Sequence, residues 1–157
     1  MAFLYDNHHD TTKSEIEINI INCINNEAGV FEAEIVLNSL YRYKTPSFTI
    51  QSDDFLQFIE RTNEFINSDQ EYLHNVMLDP WFDIRLFRNR NTQPATYTMI
   101  IVLDAGLFKT DAISTSTGPA ICLEVTANSL MSFHRKLSEE IKVVTLSYIL
   151  GLIDFDR

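Results

Sequence analysis

"FTIQSDDFLQFIERTNEFI" fills Phe48 to Ile66, and seventy-five positions later Leu123 to Ile141 reads "LEVTANSLMSFHRKLSEEI". Only Phe58/Phe133, Glu64/Glu139 and Ile66/Ile141 are identical letters, yet six apolar positions correspond. Each stretch opens with two apolar residues one apart, the period of a strand with one buried face. Short polar residues follow, of the kind that cap helix N-termini. Apolar residues at helical spacing come next. Twice, then, a strand is expected to run directly into a helix. The helices are placed at about 53–67 and 128–142. Ser52 or Asp53 is the expected first cap and Asn128 the second. Phe55, Ile59, Thr62 and Ile66, widened by Phe58 and Phe65, form the inner stripe of the first helix. Leu130, Phe133, Leu137 and Ile141 form that of the second.

Strands are expected before each junction. "EIEINIINCI" (Glu15 to Ile24) alternates with Ile16, Ile18 and Ile20 on one face, and the doubled Ile20-Ile21 breaks the alternation as a β-bulge would. "NNEAG" is a turn signal. "VFEAEIVLNS" alternates again, so the two runs read as a hairpin with a loop of about five residues. Pro46 precedes a third strand over Ser47 to Gln51. Further strands are placed at Tyr72–Leu78, Asp83–Arg88, Ala95–Leu103 and Ile121–Thr126. The tail from Val143 is ambiguous, and its β-branched residues lean it toward a strand. The expectation is an α+β domain: a mainly antiparallel sheet of about six to eight strands with two principal helices. The order suggests a duplicated strand–strand–strand–helix unit, with pseudo-repeats at about 15–67 and 72–142.

At 157 residues the chain is read as a single domain, 1–157, with residues 1–12 expected to be mobile. A chain this long can bury roughly 70% of its unfolded surface, so it needs no disulfide or metal staple. Forty-five per cent apolar residues and eleven phenylalanines suit a packed core rather than a disordered tail. Cys23 and Cys122 lie in apolar runs and read as buried reduced thiols. The N-terminus shows no basic segment followed by an apolar run. The longest apolar stretch, "VVTLSYILGLI", is too short to span a bilayer. A cytoplasmic protein without membrane contact is expected.

Motifs for chemistry are scarce. The four glycines are isolated, so no phosphate-cradling loop is visible. There is no nucleophile elbow and no metalloprotease helix motif. The histidines of "NHHD" (Asn7 to Asp10) lie in the segment expected to be mobile, a poor frame for a metal. His74 and His134 read as surface or satisfied histidines. Asp53-Asp54 and Glu139-Glu140 are neighbours about 100° apart on a helix, which does not make an acid/base pair. Arg85, Arg88 and Arg90 of "RLFRNR" read as a solvated strand edge rather than a phosphate site. No catalytic residue, cofactor or metal is expected, and a chelator should leave the melting temperature unchanged.

Charge is lopsided. Residues 1–80 carry fourteen acidic against four basic residues, and residues 81–157 carry eight of each, so the whole net charge of −10 lies in the first half. Nucleic acid is an unsuitable partner, because phosphate contacts need a basic footprint. Glu15, Glu17, Glu32 and Glu34 should share the solvent face of the first hairpin. Like charges on neighbouring strands cost a few tenths to about 1 kcal/mol each, a cost that a binding role would explain. Asp54, Glu60 and Glu64 are placed on the exposed side of the first helix.

The layout of short acidic strands, a turn, "QSDDFLQFIERTNEF" and a later "LEVTANSLMSFHRKL" resembles the WapI-like immunity proteins. These neutralise the C-terminal toxin domains of contact-dependent growth inhibition and related systems. The resemblance covers about residues 15–142 and implies no catalytic or metal site. It implies a cognate toxin C-terminal domain as partner and carries over no residue as a site; the lopsided charge makes the seven acidic residues above the candidate contacts. An accessory protein of a phage or secretion system, recognisable by an apolar self-association patch, and an enzyme with a deep polar pocket are the competing classes.

Overall fold

The computed structural model describes residues 1–76, 81–104 and 117–152. The first of its two sheets holds β1 (Ala2–Tyr5), β2 (Glu15–Asn25), β3 (Val30–Asn38), β4 (Arg42–Lys44) and β5 (Phe48–Gln51). Its pairing is antiparallel in the order β1-β2-β3-β4, with β5 also on β3. β4 and β5 are two pieces of one lane along β3, interrupted at Pro46. Thr45 spans the break: its N–H donates to the Ile35 carbonyl and its buried hydroxyl accepts the Ile35 N–H, 2.9 and 3.0 Å. The second sheet is the antiparallel meander β6 (Tyr72–Val76), β7 (Phe82–Asn89), β8 (Thr96–Leu103) and β9 (Ala120–Thr126).

The α+β class, the antiparallel pairing and two principal helices hold, but the described strands number nine, split between two sheets. Residues 1–12 include a strand and one helical turn, α1 (His9–Thr12). Ala2 and Leu4 are fully buried against β2 and the last helix. The N-terminal segment is therefore a sheet edge, not a loose end. Each half has a four-lane meander before its helix: the first gains β1 over the three strands expected, and the second holds the four expected, with residues 77 and 78 outside the described residues.

Those helices are α2 (Ser52–Ile66) and α3 (Ala127–Ile149). Both start immediately after a strand, at Gln51/Ser52 and Thr126/Ala127, seventy-five positions apart. The caps differ from the expected residues. Gln51 caps α2 without a side-chain bond, whereas Thr126 and Ser129 form a reciprocal capping box on α3. The tail is helical rather than strand as far as Ile149. Ile141, Val144 and Tyr148 continue the inner stripe and pack on the core, so helical periodicity outweighs β-branching. The expected bulge is present: the β2–β3 register shifts between Ile20 and Asn22, leaving Ile21 as the extra residue.

One core joins the inner faces of both sheets to both helices. The helices are exchanged between halves: α3 lies on β1 and β2, and α2 reaches β6. Arg88 on β7 locks this arrangement. Its guanidinium donates to the carbonyls of Phe65, Ser68 and Gln70 at 2.8, 2.7 and 3.1 Å, at the negative end of α2. It also lies over the rings of Phe65 and Tyr97, 5.4 and 5.3 Å from the centroids. β7 is paired on both sides, so "RLFRNR" is a central strand and not an edge.

Candidate functional site

The alternation of β2 and β3 sends Ile16, Ile18, Phe31, Ala33 and Ile35 inward and the hairpin carboxylates outward. Register brings them together: Asn19 faces Glu34, Asn22 faces Glu32, and Glu17 lies between Phe3 of β1 and Val36 of β3. Glu15, Glu17, Glu32 and Glu34 thus occupy one half-exposed sheet face. The face is tempered from within. Lys44 pairs with Glu34 at 2.8 Å. Glu15 accepts from Asn38 Nδ2 at 3.0 Å and lies 3.2 Å from His9 Nε2, and Glu17 accepts from Asn19 Nδ2 at 3.0 Å. Four carboxylates against Arg42 and Lys44 leave a moderate negative excess, which lowers the cross-strand repulsion. A depression of about 430 Å³ opens in this face, walled by Glu17, Asn19, Glu34, Val36, Arg42 and Lys44, with Met1 and Ile20 at one end. Glu32 walls a second hollow beside Phe48 and Trp81.

On α2 the expectation holds for two of three acids. Glu60 and Glu64 are exposed and four apart, so they share a face. Asp54 is 2% exposed and cannot offer a surface charge. With Phe58, Thr62 and Phe65 it falls on the inner stripe, whose centre lies one residue N-terminal to the Ile59–Ile66 line expected.

Of the arginines expected to be solvated, Arg85 and Arg90 are so, at 43 and 68% side-chain exposure, although each has a carboxylate partner. Arg88 holds α2, Arg85 donates to Asp83 Oδ2 at 2.8 Å from Nε and 2.5 Å from Nη2, and Arg90 pairs with Glu71. His74 Nε2 lies 2.5 Å from the other Asp83 oxygen, so it is a surface histidine with a partner. Asp6 is buried and organises the segment after β1. One carboxylate oxygen accepts the His8 N–H and the other accepts the Glu124 N–H, both at 2.8 Å, fastening β1 to β9. Among the described residues no three His, Cys, Asp or Glu side chains converge to hold a metal.

Two titratable groups depart from expectation. His134 is 3% exposed rather than on the surface, and neither ring nitrogen has a hydrogen-bond partner among the described residues. Burial pulls its pKa down to about 4. Cys23 is buried as expected, but Cys122 is exposed, because Ile121, Leu123 and Val125 take the inward positions of β9. Burial raises both thiols above their ordinary value, and for Cys122 the charge of Asp6 adds to the effect.

The feature missed from sequence is an outward apolar patch at the end of α3 and just beyond it. Val143, Leu146, Ile149, Leu150 and Leu152 are each more than half exposed. The signal lay in the apolar run itself, which is too rich to be consumed by one inner stripe. No helix among the described residues is long and apolar enough to cross a membrane. The sequence matches no protein-family model and no curated protein.

Proposed function

We propose that the protein is an immunity-type inhibitor that works in the cytoplasm by binding a basic toxin C-terminal domain, without cofactor or catalysis of its own. The observation that carries this reading is the gathering of Glu15, Glu17, Glu32 and Glu34 on the solvent face of one hairpin. Glu60 and Glu64 add charge from α2. A negative face raises the encounter rate with a cationic partner, up to ~10⁸–10⁹ M⁻¹s⁻¹ at low salt. The layout resemblance to the WapI-like immunity proteins supports the same reading.

The test is charge reversal against the toxin domain encoded beside this gene. Glu32→Lys with Glu34→Lys should slow association several-fold at low salt and flatten its salt dependence. Thermal unfolding is recorded alongside, because the Glu34 side chain is only 19% exposed and the reversal also removes its pair with Lys44. If binding and protection survive unchanged, while Arg90→Glu abolishes them, the interface is on the other half. If the wild-type protein binds no such domain, the reading falls.

A further inference from the structure

The four hairpin carboxylates are not alike. Glu15 has Asn38 and His9 as neighbours, Glu17 has Asn19, and Glu34 has Lys44. Among the described residues Glu32 has neither a hydrogen bond nor an ion pair. It stands in register with Thr49 of β5, so the two share the outer face of the first sheet. With Ile24, Ser47, Phe48 and Trp81 they line a hollow of about 550 Å³ at the β5 side of that sheet. The Phe48 and Trp81 rings, 5.4 Å apart and tilted by 37°, form its aromatic wall.

This wall and this carboxylate select their occupant. An apolar group would leave Glu32 facing it without a donor, and an anion would be repelled. An ammonium brings charge but no plane. A guanidinium meets both walls: its plane stacks on the indole while its fork of N–H groups donates to the carboxylate.

We infer that the hollow takes an arginine side chain of a protein partner, held between Trp81 and Glu32. This contact deepens the immunity-type reading, on which it rests for the partner's identity. Glu15, Glu17 and Glu34, already tempered within the molecule, act at a distance on the encounter, and Glu32 acts on contact. A macromolecule is the source because the hollow is an open bowl. Ile24 is 44% exposed, and Ser47 and Thr49 are exposed as well, whereas sites for free small ligands bury most of the ligand. Main-chain groups wait at the rim too. The Ser52 N–H donates to the Gly29 carbonyl at 2.8 Å, and such bonded pairs recur at every second residue, so the Thr49 N–H and carbonyl turn away from β3. No described strand pairs with that outer side of β5. Peptide groups flanking an incoming arginine have these two to bond.

Trp81 is the chain's one tryptophan, so its fluorescence reports on this hollow alone. The full chain is titrated with three probes: acetyl-Thr-Val-Arg-Val-Thr-amide, the same peptide with citrulline, the neutral isostere of arginine, and methylguanidinium. The arginine peptide is expected to shift Trp81 emission saturably. It should bind roughly ten-fold more tightly than either other probe, as a cation over an indole with a charge-assisted hydrogen bond implies. Glu32→Gln should erase the preference for arginine over citrulline. Glu27→Gln, an equal loss of charge on the nearby turn, should keep it. Both variants should melt with wild type, and the wild-type comparison of arginine with citrulline decides even where a variant fails to fold. No saturable shift, equal binding of citrulline, or an equal loss in Glu27→Gln overturns the arginine site. Equal binding of methylguanidinium makes the hollow a small-cation site and overturns the protein partner. The neighbouring gene's toxin domain is measured separately. If it binds and Glu32→Gln leaves its dissociation rate unchanged, the arginine site falls and the functional reading stands. If it does not bind while the peptides behave as expected, the functional reading falls and the arginine site stands.

Discussion

His134 of α3 stands edge-on to Phe58 of α2, ring centroids 5.0 Å apart and planes at 80°. It occupies the place in the second helix that Ile59 occupies in the first, and it is the more deeply buried of the two. An imidazole there behaves as an apolar ring for as long as it stays neutral.

Its folded pKa of about 4 lies below the unfolded value of about 6.5. Between those values the unfolded chain binds more protons than the native one, so stability rises with pH. The contribution is complete above about pH 6.5 and is lost as pH falls toward 4, by up to ~3 kcal/mol. His134→Leu should therefore flatten the midpoint of urea unfolding between pH 6.5 and 4.5. A variant as acid-sensitive as wild type in that window would assign the titration to another group.

Arg88→Ala should cost about 2–4 kcal/mol, since it strips the α2 C-terminus of its donors and removes the cation over two rings. Arg88→Lys should recover only part, because an ammonium cannot reach several carbonyls in one plane. The check is the chemical-denaturation midpoint of both variants.

Asp6→Ala should lose about 2–3 kcal/mol by leaving the Glu124 and His8 N–H groups without their acceptor. Amide exchange at Glu124 should accelerate with it. Protection of that amide unchanged from wild type would mean that the Asp6 link to β9 is dispensable.

One thiol, Cys122, should react with a disulfide reagent in the native state, and a second, Cys23, only after unfolding. Because both thiols are raised, the native reaction should be slow at pH 7 and quicken as pH climbs. Cys122→Ser should remove the native-state reaction altogether.

Much of this architecture was legible in short-range patterns. The two strand–helix junctions, the bulge at Ile20-Ile21 and the hairpin face all follow from counting apolar residues by twos or by threes and fours. What escaped was decided by contacts distant in sequence. Ala2 and Leu4 make a strand only because β2 and α3 arrive to cover them. Val143 and Val144 stay helical because Val144 and Tyr148 find the core. Asp54 was placed outside by its charge, whereas helical phase put it inside. The hairpin carboxylates were located correctly, but Lys44, Asn38 and His9 as their neighbours depended on pairings that no local pattern announces.

The exchange of helices between halves carries a consequence in time. The inner face of β1 and β2 is covered by α3, and roughly 120 residues separate Tyr5 from Ala127. At ~5–20 residues per second, a ribosome needs roughly 6–24 s to deliver the cover after making the surface it protects. During that interval Ile16, Ile18 and Ile20 form a bare ridge, and a nascent chain in this state is a client for whatever holdase waits at the exit tunnel.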